Sequence, residues 1–147
     1  MADQTTQHMV VAASPQRTWE VLTDFESYPD WAHDLKSAEV VERDGDGRGL
    51  TVAFRVAAMG RSTSYTLSYD YAKAPDVLAW KQIRGDVTRK LDGAYELAPV
   101  DGEPDRTAVT YHLEVDLLVP LPAFVKRRAE ARLLTTALRG LRSYLER

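Results

Sequence analysis

The fold is decided by residues 107–147, which read TAVTYHLEVDLLVPLPAFVKRRAEARLLTTALRGLRSYLER. In residues 107–118 apolar side chains alternate with polar ones, and this period of two predicts a long strand with one buried face. From Pro122 onward apolar residues recur every three or four positions, which predicts one amphipathic helix of roughly six or seven turns. A long strand that leads into a long helix indicates a sheet with a helix packed on its apolar face.

Upstream of this stretch, apolar and β-branched segments predict six more strands, separated by turns rich in glycine, proline and aspartate. We expect these strands at residues 7–13, 38–43, 50–57, 62–71, 77–83 and 87–98, with a loop at 101–105. Ser14 and Pro15 predict a helix start, because serine caps a helix and proline is tolerated in its first turn. Pro29 disfavours helical backbone at Tyr28, so residues 25–35 are expected to form a second short helix or a tight turn.

These elements predict an α+β fold in a single domain, residues 1–147. We expect a curved antiparallel sheet of about seven strands wrapped around the long C-terminal helix, with two short helices after strand 1. A space remains between such a sheet and its helix unless large side chains fill it. The pattern does not decide whether Trp80 or Lys81 points into that space.

The composition excludes several kinds of site. The chain has no cysteine, which excludes disulfides, thiolate metal sites and cysteine nucleophiles. Its three histidines lack metal-ligand spacing, and a net charge of −3 gives no bulk attraction to nucleic acid. Neither a signal segment nor an apolar run of about 20 residues occurs, so we expect a cytoplasmic protein with no metal and no cofactor.

The net charge hides an asymmetry. Residues 121–147 carry seven basic and two acidic side chains, a charge of +5, so the rest of the chain carries −8. We interpret the basic side chains as the solvated outer face of the helix, and contact with anionic lipid headgroups is the alternative. The sequence predicts no particular oligomeric state.

Several short motifs carry a resemblance to a known superfamily. They are VVAASP at 10–15, WEVLTD at 19–24, YPDW at 28–31, the DGDG turn at 44–47, Gly93-x-Tyr95-x-Leu97-x-Pro99 and Thr107-x-Val109-x-Tyr111. On these motifs, which span nearly the whole chain, it resembles the START-like superfamily (SRPBCC, helix-grip fold), and most of all its polyketide cyclase/dehydrase and coenzyme Q-binding branch. The resemblance implies a hydrophobic cavity between the sheet and the C-terminal helix that holds a lipid, quinone or polyketide.

The resemblance also implies where cyclase residues would lie. Polyketide cyclases of this superfamily carry an arginine and several aromatic residues on the inner strand faces. The arginine position falls at or near Tyr69 here, and two tryptophan positions fall near Thr63 and Tyr65. The aromatic residue of the last strand corresponds to Tyr111. The expected pocket is therefore aromatic and poor in charge.

Twelve side chains are predicted to bind the ligand, because they combine apolar surface with a few hydroxyl groups or lie on the expected inner stripe of the helix. They are Tyr28, Trp31, Phe54, Thr63, Tyr65, Tyr69, Tyr95, Tyr111, Leu113, Ala129, Arg132 and Thr136. The alternative is that they are ordinary core and surface residues of a sheet and a helix.

Two further features of the sequence bear on this site. Gly140 costs about 1 kcal/mol relative to alanine in mid-helix, so we expect close packing or approach of a ligand there, unless the glycine is merely tolerated. Trp31, with Tyr28 and Phe25 and near Met59, is expected to gate the cavity mouth, and residues 117–122 are expected to form the opposite lip. Plain packing of the short helices is the alternative.

The predicted function is binding of a hydrophobic lipid-, quinone- or polyketide-like molecule, for transport or sequestration. The alternative is a polyketide cyclase, aromatase or dehydratase, which needs a general acid or base within reach of its substrate. Candidates for that role are Tyr69, Tyr65, Arg132 and either Lys81 or His33. A regulatory domain that binds a partner and no small molecule is the third class.

Overall fold

The computed structural model describes residues 3–58 and 61–147, and the turn expected at Met59 and Gly60 lies outside these residues. The described elements are β1 (Asp3–Val11), α1 (Pro15–Thr23), a 3-10 helix (Phe25–Asp30), β2 (Leu35–Arg43), β3 (Gly49–Ala58), β4 (Arg61–Asp70), β5 (Val77–Gly85), β6 (Thr88–Val100), β7 (Glu103–Leu117) and α2 (Ala123–Leu145). The predicted fold class is confirmed: a curved antiparallel sheet, two short helices after the first strand and a long C-terminal helix.

The sheet places the long last strand near its edge. The strand order is β1-β7-β6-β5-β4-β3-β2, and every neighbouring pair is antiparallel. Along β7 every second side chain is buried from Thr107 to Val115, as the period of two predicts. These side chains belong to the concave inner face of the sheet. The helix α2 packs on this face at β1 and β7, and the 3-10 helix packs on it through Tyr28 against Phe54 of β3 and Phe25 against Tyr69 of β4.

The helix α2 docks on the sheet along β1. Its buried stripe consists of Glu130, Leu134, Leu138 and Leu141. The amide nitrogen of the Gln7 side chain donates to the carbonyl of Ala131 at 3.1 Å, which ties β1 to the helix. The expected inner stripe of Ala129, Arg132 and Thr136 is instead exposed, as are Val125 and Leu133. The expected stripe is therefore not the one that packs on the sheet, although Ala129, Arg132 and Thr136 do border the space between the sheet and the helix.

Several strand boundaries differ from the prediction, and those of β7 and β1 differ most. β7 begins at Glu103, inside the expected loop, because Gly102 adopts a φ of 74° and turns the chain within two residues. β1 runs over Asp3–Val11 rather than residues 7–13, since Ser14 already caps α1 and its hydroxyl accepts the backbone N–H of Arg17 at 3.1 Å. No helix in the described part of the chain is long and apolar enough to cross a bilayer.

Candidate functional site

A cavity of about 730 Å³ lies between the concave face of the sheet and the elements that cover it. Strands β3 to β7 form one wall, and the 3-10 helix, the loop after it and α2 form the other. This volume falls in the range of pockets that hold drug-sized ligands. All twelve side chains predicted from the sequence line this cavity. That any of them contacts a ligand stays a prediction.

Eight aromatic rings form a continuous series, and all of them except Phe25 line the cavity. Neighbouring ring centroids in the series are 4.4 to 5.9 Å apart, which is the usual range for packed aromatic pairs. In order, the rings are Tyr65, Phe54, Tyr28, Phe25, Tyr69, Trp80, Tyr95 and Tyr111. The wall is therefore largely aromatic, with hydroxyl groups at intervals.

Gly93 gives Trp80 its place in this wall. The two residues are paired across β5 and β6, and a Cβ atom at Gly93 would lie only 2.6 Å from Cζ2 of Trp80. The indole ring therefore lies over the backbone of β6, where only a glycine leaves room. Trp80 faces the cavity and Lys81 is exposed on the outer face, which settles the question left open by the sequence. The hypothesis that Lys81 serves as an acid or base in the cavity is wrong.

The tyrosine hydroxyls of the wall stay protonated. Burial, as the largest cause, raises the pKa of Tyr69 and Tyr95 well above 10, and the neighbouring tyrosines raise it further. Burial also raises the pKa of Tyr65 and Tyr111. At neutral pH these groups are therefore uncharged and can donate or accept a hydrogen bond. They are poor bases, because a tyrosine accepts a proton readily only as the tyrosinate anion, which the raised pKa disfavours.

The tyrosine hydroxyls differ in whether they already make a hydrogen bond to the protein backbone. The hydroxyl of Tyr28 donates to the carbonyl of Leu22 at 2.5 Å, so it fixes the 3-10 helix against α1. Within the described residues the hydroxyls of Tyr65 and Tyr69 have no such backbone partner. Three polar atoms of lining residues are also buried without a hydrogen-bond partner: Nε1 of Trp31, Oγ1 of Thr63 and Oε2 of Glu130. Unpaired buried donors are costly, so the wall offers hydrogen bonds that the protein itself does not use.

A buried ion pair lies at the α2 side of the cavity. Lys126 Nζ is 3.0 Å from Glu130 Oε2, and only 16% of the lysine side chain and 6% of the glutamate side chain are exposed. The hydroxyl of Thr5 donates to the other carboxylate oxygen at 3.2 Å. Both charged residues line the cavity. The expectation of a pocket poor in charge therefore holds for the strands but is wrong for the helix.

The mouth of the cavity lies beside α2. Ala129, Arg132 and Thr136 line it and are exposed at the same time, and His33 lines it from the opposite side. Leu117 and Leu121 belong to the lining, as expected for the lip at residues 117–122.

On the other side of the mouth, Tyr28 and Trp31 line the cavity, whereas Phe25 lies behind them, with its ring 2.7 Å from where a Cβ of Gly49 would be. Tyr71, at the end of the strand expected at residues 62–71, does not line the cavity. It follows the end of β4, and its hydroxyl donates to the carbonyl of Gly49 at 2.6 Å.

Comparisons with known proteins agree with this architecture. Residues 2–146 match the model of a family described as polyketide cyclase / dehydrase and lipid transport. A START superfamily protein from Mycobacterium smegmatis superposes with a TM-score of 0.91 at 24% identity, over 97% of each chain. The Zhui aromatase/cyclase from Streptomyces sp. R1128 superposes with a TM-score of 0.83 at 21% identity, over 100% of this chain and 95% of that one.

A plant protein shares the architecture too. The major latex-like protein 151 of Panax ginseng superposes with a TM-score of 0.74 at 12% identity, over 98% of this chain and 97% of that one. A search of curated protein sequences found no match. At these identities the superpositions show the fold.

Proposed function

We propose, from the premise that this chain belongs to the polyketide cyclase / dehydrase and lipid transport family, that its cavity binds a largely apolar small molecule with a few oxygen atoms. A lipid, a quinone or a polyketide meets this description, and the protein would carry or sequester it. The START-like fold is known to bind hydrophobic small molecules. The observation that carries the proposal is the cavity of about 730 Å³ with its aromatic wall.

The chemistry of the wall supports a ligand of this kind. Apolar rings favour an apolar body by removing its surface from water, at about 25 cal/mol per Å². The hydroxyls of Tyr65 and Tyr69 and the indole N–H of Trp31 add hydrogen-bond donors that suit carbonyl or hydroxyl oxygens. None of the strand residues that line the cavity is charged, so a charged group against the strands would find no counter-ion there, and we expect the part of the ligand that lies on the strands to be uncharged.

Binding is favoured over catalysis by what the cavity offers as acid and base. The tyrosines are held neutral by their raised pKa. The carboxylate of Glu130 forms an ion pair with Lys126 and accepts a hydrogen bond from Thr5. His33 and Asp34 also line the cavity, but both are exposed to solvent. A free base beside the aromatic wall would be the mark of an enzyme.

The test is a fluorescence titration with N-phenyl-1-naphthylamine, an uncharged apolar dye. The cavity contains Trp31 and Trp80, so we expect energy transfer from tryptophan to the bound dye. Thr136→Phe places a ring in the mouth from an exposed helical position and should weaken binding at least tenfold. Ser143→Phe, on the same helix outside the lining, is the matched control and should leave the affinity unchanged. Equal affinity of both variants would contradict the proposal.

A second function has one observation in its favour, the buried carboxylate of Glu130 in the cavity lining. In a cyclase, a base removes a proton from a carbon between two carbonyls of a poly-β-keto chain. That carbon then forms a bond to another carbonyl carbon, whose oxygen takes up a proton. Glu130 would be the base, and a tyrosine hydroxyl would supply the proton.

Two measurements, formation of cyclic product and binding of the dye, distinguish a cyclase from a binding protein. If the protein is a cyclase, Glu130→Gln abolishes formation of cyclic product from a poly-β-keto thioester and leaves dye binding in place. If it is a binding protein, the wild type forms no product beyond the uncatalysed rate, while dye binding persists.

A further inference from the structure

Exposed apolar side chains surround the mouth of the cavity where β7 leads into α2. Phe124 is 70% exposed and Val119 is 66% exposed, and Leu118 and Leu121 are each more than 40% exposed. Val87 of the facing turn is also exposed, and its carbonyl accepts the backbone N–H of Leu118 at 3.0 Å. We call these five residues the apolar rim. Two of them, Val87 and Leu121, also line the cavity, so the rim and the mouth are continuous.

The rim is flanked by positive charge. Residues 118–133 contain four basic side chains and one acidic one, a local charge of +3 in a chain whose net charge is −3. Arg127, Arg128 and Arg132 are exposed. Within residues 3–58 and 61–147, none of the three lies within 4.0 Å of a carboxylate oxygen.

The start of α2 adds to this charge. Its N-cap is Pro122, which makes no side-chain hydrogen bond to the first turn, and the first turn contains no acidic residue. The free backbone N–H groups and the helix dipole therefore add partial positive charge beside Phe124. The guanidinium groups and this helix end favour anions on the same side of the molecule.

We propose that this face binds the surface of an anionic lipid bilayer. The apolar rim would enter the boundary between headgroups and acyl chains, and Arg127 and Arg128 would lie at the level of the headgroup phosphates. An acidic protein would satisfy the arginines, but it would have to cover the mouth itself. A bilayer matches both the apolar rim and the arginines. It would also let an apolar ligand pass between the acyl region and the cavity without crossing water. The transfer step rests on the proposed function, whereas bilayer binding does not.

The experiment is co-sedimentation of the full chain with phosphatidylcholine vesicles, with and without phosphatidylglycerol. We expect binding to the anionic vesicles that weakens as salt is raised, since the attraction is screened. Arg127→Gln with Arg128→Gln should weaken it by roughly 25-fold, about fivefold for each arginine. Phe124→Ser should weaken it at least tenfold, because the ring no longer leaves water.

Two matched controls lie away from the rim. Arg139→Gln removes an exposed arginine in the C-terminal half of α2, and Val41→Ser removes an exposed apolar side chain on β2. Neither should change sedimentation. Absence of sedimentation with anionic vesicles, equal binding to uncharged vesicles, or equal binding by the rim and control variants would each overturn the proposal. Neither Phe124 nor Arg127 lines the cavity, so their variants should keep the dye affinity of the wild type, and the proposed function is tested separately.

Discussion

The carbonyl oxygen of Trp31 occupies the space that a Cβ atom at position 140 would need. Gly140 thus lets the segment after the 3-10 helix lie directly on α2. The close packing expected from a mid-helix glycine is present, and the atom that approaches is backbone rather than ligand. This contact holds Trp31 in the cavity wall.

Gly140→Ala should therefore destabilise the protein although alanine is the better helix former. The intrinsic gain of about 1 kcal/mol is outweighed by the overlap with a backbone oxygen, and we expect a net loss of about 1–3 kcal/mol in the free energy of unfolding. Urea denaturation measures it. Ser143→Ala, at an exposed position of the same helix, should change the free energy by less than about 0.5 kcal/mol. A Gly140→Ala protein as stable as the wild type would show that the overlap is relieved without cost.

Gly93→Ala should affect both the stability and the cavity. The new methyl group overlaps the ring of Trp80 and the carbonyl oxygen of His112, so the indole must move toward the cavity. We expect a loss of about 1–3 kcal/mol and weaker binding of the uncharged dye. Gly45→Ala is the matched control, because nothing lies within 4 Å of a Cβ atom there. Unchanged dye affinity in folded Gly93→Ala would contradict the place of Trp80 in the binding wall.

Removing one partner of the Lys126–Glu130 pair should lower the free energy of unfolding more than replacing both partners. Lys126→Met leaves the carboxylate of Glu130 buried without its counter-ion, and we expect a loss of about 3 kcal/mol in the free energy of unfolding. The double variant Lys126→Met/Glu130→Met removes both charges and should recover most of that loss. Thermal and urea unfolding of the single and double variants form the cycle. The single variant Glu130→Met completes the cycle, and a loss in the double variant equal to the sum of the two single losses would mean that the pair is not coupled.

The raised pKa values of the tyrosines predict a loss of stability in alkali. In the unfolded chain a tyrosine has a pKa of about 10. In the folded protein burial raises the pKa of Tyr71 to about 12 and that of Tyr28, Tyr69 and Tyr95 well above 10. Folding thus favours the neutral form. The stability is fully present below pH 10 and is lost as the pH rises from 10 toward the folded values.

Tyrosinate absorbance at 295 nm checks this prediction. At pH 11 the native protein should show far fewer ionised tyrosines than the urea-unfolded protein, and its melting temperature should be below that at pH 9. Tyr69→Phe should lose less stability over this range than the wild type. Native tyrosines that ionise in parallel with the unfolded ones would show that the wall is open to water.

The order of elements and most inward-facing strand residues could be predicted, because period-two alternation fixes the faces of long strands such as β7. The inward face of β5 could not be predicted, because both of its faces carry apolar residues. One face has Val77, Ala79 and Ile83, and the other has Leu78 and Trp80. Burial of Leu78 and Trp80 is decided by the pairing of β5 with β6.

The helix was harder to predict than the strands. A lysine and a glutamate four positions apart are usual on a solvated helix face, so nothing in the sequence marks Lys126 and Glu130 as buried. Their burial follows from docking of α2 beside Thr5 of β1, a contact between residues 125 positions apart. The same docking sets which face of α2 is exposed. The single domain over residues 1–147 and the cytoplasmic location remain predictions.

The most direct test of the central claim is native mass spectrometry of the protein purified from its source organism. The account predicts a bound apolar molecule of several hundred daltons, released on denaturation, present in the wild type and in Ser143→Phe and reduced in Thr136→Phe. A wild-type protein that carries no small molecule and also fails to bind the uncharged dye would contradict it.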